Sequence, residues 1–202
     1  MNWQVLTVGE AVVRGYLEKP LDGNHGEKHP KAEEYVKNGI PFIMANDLKD
    51  GTVDFKHCSF ITENRAKKLD KGFAKDGDVL LTHKGTIGIT AIMKKLPSKF
   101  AMLTPQVTYY RIYNGLTQEY LKCYFETDYF QKVLRMRSSG ATRAYIGITK
   151  QLELPVMIPN IGNQASFSRF INSIDKSKFP ATPSPLMPCQ GAAPSARDLS
   201  KM

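Results

Sequence analysis

Three runs of β character crowd into residues 79–113 and constrain the fold more than any other feature of the chain: Val79–Thr82, Ile87–Met93 and Leu103–Tyr113. Their Val, Ile, Thr and Tyr side chains suit a pleated, half-buried surface, and the third run alternates polar and apolar residues with the two-residue period of a strand. The first two are joined through His83-Lys84-Gly85. Upstream, Ile40 to Met44 (IPFIM) is a compact strand candidate closed by the turn-prone segments AND and KDG.

Helical periodicity follows the strands. In LTQEYLKCYFETDYFQKVLRM, Leu121, Tyr124, Phe125, Tyr129, Val133 and Met136 recur at three- and four-residue steps. Thr127-Asp128 reads as a second N-cap, with Gln131 at capping-box spacing from Asp128, which predicts two helices at an angle. SFITENRAKKL reads as a strand end passing into one or two helical turns capped by Thr62. An opening element lies around Trp3 to Val8, LEKPLDGNHGEKHP after it reads as a polar loop, and RSSGATRAYIG reads as a basic loop. Leu152–Ile158 is a short strand, and Gln164 to Asp175 begins an amphipathic helix with Phe167, Phe170, Ile171 and Ile174 on one face. With 202 residues, 42% of them hydrophobic, the chain has material for one domain and an appendage. The expected division is a domain over 1–160, a short helix over 161–178 and a disordered tail over 179–202, where five of the 12 prolines fall.

Charge is distributed unevenly. Residues 1–78 hold 12 basic and 13 acidic side chains, whereas residues 79–202 hold 16 basic and 6 acidic, for an overall net charge of +9. From Val79 to Gln118, and again from Tyr129 to Lys150, there are five basic residues and no acid. Such a surface attracts polyanions, nucleic acid above all; a basic surface maintained for solubility is the alternative. No apolar run is long enough to span a membrane, the N-terminus lacks the order of a signal peptide, and Cys58, Cys123 and Cys189 form no CxxC pair. A cytoplasmic location is expected.

Catalytic motifs find little support. HKGTIG lacks the spacing of a phosphate-binding loop, and neither a GxSxG elbow nor an HExxH helix occurs. His25 and His29 are four residues apart, as two metal ligands on a helix would be, but Gly23, Gly26 and Pro30 make that segment a poor helix. The triplets from Asp47 to Lys49 and from Asp54 to Lys56 lack a partner carboxylate for nuclease chemistry. No catalytic residue, metal or cofactor is therefore expected. The loops instead combine amides, hydroxyls and cations: Asn24-His25, Lys28-His29, Asn46-Asp47, His83-Lys84 and Thr142-Arg143. Phosphates are held by cations and amide donors, and base edges by bidentate amides, Arg or Lys.

The order of these segments resembles the DNA-specificity (S) subunit of type I restriction–modification systems, in a half-sized form. The matching elements are LDGNHGEKHP, GIPFIMANDLKDGTVDF, KGFAKDGDVLLTHKGTIGITAIM with its paired strands, LTPQVTYYRI, the helical segment from Tyr120, the segment LELPVMIPN and the helix from Gln164, together spanning roughly residues 1–176. The resemblance implies an α/β unit of α+β type, a strongly bent, mostly β target-recognition domain with packed helices, followed by the start of a coiled-coil spacer helix. It implies a non-catalytic chain that reads one half of a bipartite sequence in double-stranded DNA. Its partners would be the methyltransferase subunit, which binds S-adenosylmethionine, and the ATP-driven restriction subunit. A complete subunit has two recognition domains; one domain here implies either self-association through the helix near Gln164 or a truncated product. A recognition module of a combined restriction–methylation enzyme and a basic protein-interaction module are the rival readings.

The candidate contacts are His25, Lys28, His29, Asn46, Lys49, His83, Lys84, Thr86, Arg137, Ser138, Thr142, Arg143 and Tyr145. The cations are assigned to phosphates, and Asn46, His83 and Thr142 to bases. Arg143→Ala is expected to weaken binding to all duplexes and to reduce the slope of log affinity against log salt by about one unit; an unchanged slope in a salt titration would take Arg143 off the interface.

Overall fold

The computed structural model describes residues 4–138 and 144–178. Its elements, in chain order, are β1 (Gln4–Thr7), α1 (Val8–Val13), β2 (Leu21–Asp22), β3 (Tyr35–Val36), β4 (Ile40–Ile43), β5 (Leu48–Lys49), β6 (Thr52–Val53), β7 (Ser59–Ile61), α2 (Glu63–Ala66), β8 (Phe73–Ala74), β9 (Val79–Thr82), β10 (Thr90–Ile92), β11 (Ala101–Leu103), β12 (Val107–Tyr110), α3 (Gln118–Glu126), α4 (Asp128–Arg137), α5 (Ile148–Gln151), β13 (Pro155–Ile158) and α6 (Ile161–Lys178). This is the strand-rich α+β domain that the sequence implies. The proline-rich segment 179–202 and the loop residues 139–143 lie outside the described residues.

Two sheets form the centre. One has the order β10-β9-β12-β2 and is antiparallel throughout; the other has the order β3-β7-β4-β11-β8, in which β4 and β11 run parallel. All eight residues of β9 and β12 are buried. The two-residue period divides them between two cores: Val79, Leu81 and Tyr110 pack with Leu121, Phe125, Phe130 and Leu134 of the helices, while Leu80, Val107 and Tyr109 pack against Ile43, Ala101 and Leu103 of the second sheet. Phe42, Ile61 and Met102 point out of the far side of that second sheet and are covered by Ala66 and Leu69. The layers are thus helices, sheet, sheet and the short α2.

Local chemistry explains most boundaries. Thr62 accepts the Arg65 N–H at 3.1 Å and starts α2, and Thr127 accepts the Phe130 N–H at 3.3 Å and starts α4. Gln131 does not complete a capping box; its amide donates instead to the carbonyls of Phe125 and Gly88. Positive φ at Asp50 and Gly51 gives the KDG turn the twist that joins β5 to β6. The run Leu103–Tyr113 proves to be two strand segments in different sheets, parted at Thr104-Pro105-Gln106, and Ile87–Met93 shortens to β10, before which the Ile89 N–H bonds the Thr82 hydroxyl at 2.9 Å. The loop LEKPLDGNHGEKHP contains β2, an edge strand on β12. In α6, Phe167 packs against Tyr120, but Phe170 is 62% exposed, so the expected apolar face is not uniformly covered; the side chains of Ile171 and Ile174 lie outside the described residues.

One buried amide fixes the direction of α6. Gln164 is fully buried; its Oε1 accepts the Thr117 N–H at 2.9 Å, and its Nε2 donates to the carbonyls of Gly115 at 2.8 Å and Pro159 at 3.0 Å. Gln164→Leu conserves bulk but leaves these main-chain groups unpaired, so it is expected to destabilise the fold by about 2–4 kcal/mol. Urea denaturation should show this as a lower midpoint with an unchanged slope.

Candidate nucleic-acid interface

Antiparallel pairing sends several loops to the same end of the central sheet. Val107 of β12 lies opposite Thr82 of β9, so the residues just outside the pair, His83 and Gln106, meet: the His83 N–H donates to the Gln106 carbonyl at 2.9 Å. β2 reaches the same end because Asp22 lies opposite Thr108. The parallel pair β4 and β11 also ends there, with the Thr104 N–H bonded to the Ile43 carbonyl at 2.9 Å. Gly23 permits this convergence, since a Cβ at that position would stand 1.9 Å from the Leu103 carbonyl oxygen.

The loops enclose a cleft of about 430 Å³ lined by His25, Gly26, His29, Tyr35, Met44, Lys84, Thr104, Pro105 and Gln106. Beneath it lies a cluster of charge. Asp22 is 2% exposed and receives Lys71 Nζ and, at 2.6 Å, His25 Nε2, while His83 Nε2 stands 3.8 Å away. Burial by itself raises the pKa of the Asp22 carboxyl, but Lys71 and His25 outweigh it and hold the carboxyl below its ordinary range. Burial lowers the pKa of the His83 imidazole, against the pull of Asp22 and of the Ile146 carbonyl 3.0 Å from its Nδ1. That acceptor assigns the proton of the neutral ring to Nδ1. Asn24 ties the loop down from within, donating to the Lys71 carbonyl at 2.7 Å and accepting the Asp70 N–H at 3.1 Å.

The expected contacts divide sharply on this geometry. His25, His29 and Lys84 line the cleft together. Tyr145 stands behind Lys84, whose Nζ lies 6.0 Å from the ring centroid, and Thr86 is exposed in the same loop. Asn46 is exposed on the 3-10 turn Ala45–Asp47 that follows Met44. His83, assigned to base readout, is completely buried and supports the loop instead of reaching its surface. Lys28 is paired with Asp70 and does not line the cleft. Lys49 lies on the hairpin beside β10, at the sheet edge opposite β2, and is paired with Asp54 at 2.9 Å. Arg137 lines a separate groove with Tyr129 and Val133, bonded to the Glu153 carbonyl at 2.9 Å, and Ser138 donates its hydroxyl to the Arg135 carbonyl at the end of α4. Thr142 and Arg143 lie outside the described residues.

Sequence reasoning missed Tyr35, Thr104 and Gln106 in the cleft. Pro105 was the available signal for the last two: a residue without an N–H, set inside an apparent strand, marks a break in the ladder. His25 bonds Asp22, and the His29 ring centroid lies 5.4 Å from that of Phe42.

A doubly buried sheet that gathers polar loops around one open cleft defines a loop-presenting binding domain. The chain belongs to the type I restriction modification DNA specificity domain family, whose description matches residues 20–180. It is 23% identical over 185 residues to the type I restriction enzyme MjaVIII specificity subunit of Methanocaldococcus jannaschii, covering 86% of this chain and 40% of that protein. Among solved structures, the HsdS subunit from Thermoanaerobacter tengcongensis superposes with a TM-score of 0.62 at 17% identity over 87% of this chain and 38% of its own length. A chain from a structure addressing complex assembly and conformational transition of the type I R-M system gives 0.63 at 16% identity, with 87% and 38% covered. These likenesses establish the fold, and the chain spans about 40% of the length of these relatives.

Because the Asp22 pKa is lowered on folding, its contribution to stability is complete above the unfolded value near 3.8 and disappears as pH falls through the lower folded value. Asp22→Asn is therefore expected to be less stable than the parent at pH 7, with the difference narrowing below about pH 4. A difference in urea midpoint that stays constant from pH 7 to pH 3 would show that the Asp22 charge is not the stabilising feature.

Proposed function

We propose that this chain is a non-catalytic DNA-reading component of a type I restriction–modification system, acting in the cytoplasm and binding one half of a bipartite site in double-stranded DNA. The observation that carries this reading is the gathering of His25, His29, Lys84 and Gln106 at one end of the central sheet. Among the described residues Lys84 has no ion-pair partner, unlike Lys28, Lys49 and Arg137. Its charge is therefore available for a backbone phosphate. The methyltransferase and restriction subunits are the partners, and chemistry is left to them. In this reading residues 1–160 recognise DNA and α6 begins the spacer, where exposed Ile161 and Phe170 offer contacts to a second copy of the chain.

A salt titration of duplex binding tests the reading. Lys84→Ala is expected to weaken binding to every sequence and to lower the slope of log affinity against log salt by about one unit. Lys99→Ala removes the same charge just before β11, at the end away from the cleft, and is expected to leave the slope unchanged. Equal effects of the two variants would place the DNA elsewhere. Failure of the full chain to enrich any motif from a randomised duplex pool at low salt would favour a basic protein-interaction module.

A further inference from the structure

We infer that Gln106 is a specificity-determining residue that reads an adenine in the major groove; this rests on the DNA-binding reading above and names the group that discriminates within it. The main chain at Gln106 is held on both sides. Its carbonyl accepts the His83 N–H at 2.9 Å, and the next residue, Val107, donates to the Thr104 carbonyl at 3.2 Å. Pro105 before it fixes one backbone dihedral. Gln106 is thus an exposed side chain on an immobilised Cα, which is what directional hydrogen bonding to a base requires.

Its amide is also unengaged. The side chains of Gln131, Gln151 and Gln164 all donate to main-chain carbonyls, whereas that of Gln106 has no hydrogen-bond partner among the described residues. Beside it in the cleft, Thr104 is 4% exposed and its Oγ1 has no partner in the protein. A buried hydroxyl without a partner costs free energy unless something supplies the bond.

The shape of the site assigns roles. A concave cleft next to Lys84 and the two imidazoles suits the convex ridge of the phosphate backbone. A base edge lies recessed in a groove, and a projecting side chain at the rim is needed to reach it. Gln106 lines the cleft with an exposed side chain, and is the free amide there that can be offered to such an edge. A primary amide places one donor and one acceptor side by side, which matches N7 and N6–H of adenine in the major groove and no other single base there as well.

Selection of bound duplexes from a randomised pool by the full chain, its Gln106→Ala variant and its Gln106→Glu variant tests the assignment. The parent is expected to enrich a motif containing an adenine preferred on the order of tenfold or more over other bases at one position. Gln106→Ala should enrich the same motif with the preference at that position alone reduced to about twofold or less, and Gln106→Glu should move it toward cytosine, whose N4 amino group a carboxylate accepts. A motif unchanged in both variants, or affinity lost equally for all sequences in Gln106→Ala, would overturn the assignment while leaving DNA reading intact. No enriched motif with the parent chain would remove both.

Discussion

Burial of β9 and β12 on both faces is the constraint from which the rest of the molecule follows. A strand pair with a core on each side has no surface for polar side chains, so Val79–Thr82 and Val107–Tyr110 are apolar or hydroxyl-bearing, and polar chemistry is displaced to the strand ends. Antiparallel register makes the ends of the two strands coincide, and the loops after β2, β4 and β11 arrive at the same place through their own pairings. The cleft is thus a product of strand pairing before any of its side chains are considered.

The excess of basic residues in the second part of the chain has a structural component. Arg111 is held by Asp78 through Nε and Nη2, each at 2.8 Å, by Glu18 at 3.1 Å and by the Phe73 carbonyl, with the Tyr109 ring stacked beneath it. Lys122 pairs with Glu126 one helical turn away, and Arg137 with Glu153. These cations serve the fold, and two acids of the first part of the chain, Glu18 and Asp78, are the partners of Arg111. Lys84, by contrast, stands in an exposed loop beside polar groups. Charge composition alone thus locates no site, and the pairing of each cation separates those that serve the fold from those left exposed.

The sequence carried the architecture better than the site. Apolar and β-branched runs mark β4, β9 and β10, and the threonine caps at 62 and 127 fall where α2 and α4 begin, because these signals are local. β2 was hidden, since two residues carry no period and its identity depends on pairing with β12 across more than 80 residues of chain. The site depended on the same long-range geometry. Lys84 looks alike in sequence to Lys49 and Arg137, as a polar loop or helix-end cation, and only three-dimensional placement separates the one that lines the cleft from those neutralised elsewhere. His83 was misleading for a further reason: a histidine beside a lysine in a turn reads as exposed, yet the bonding of its ring to Ile146 draws it into the interior.

The separation of rim from core has an evolutionary consequence. Lys84, Thr86 and Gln106 belong to none of the three apolar clusters, so exchanging their side chains leaves the folding free energy nearly untouched. In the proposed DNA-reading role, variation at these positions would be filtered by ligand choice rather than by foldability, and a lineage carrying this domain could be retargeted by a few substitutions without rebuilding the scaffold.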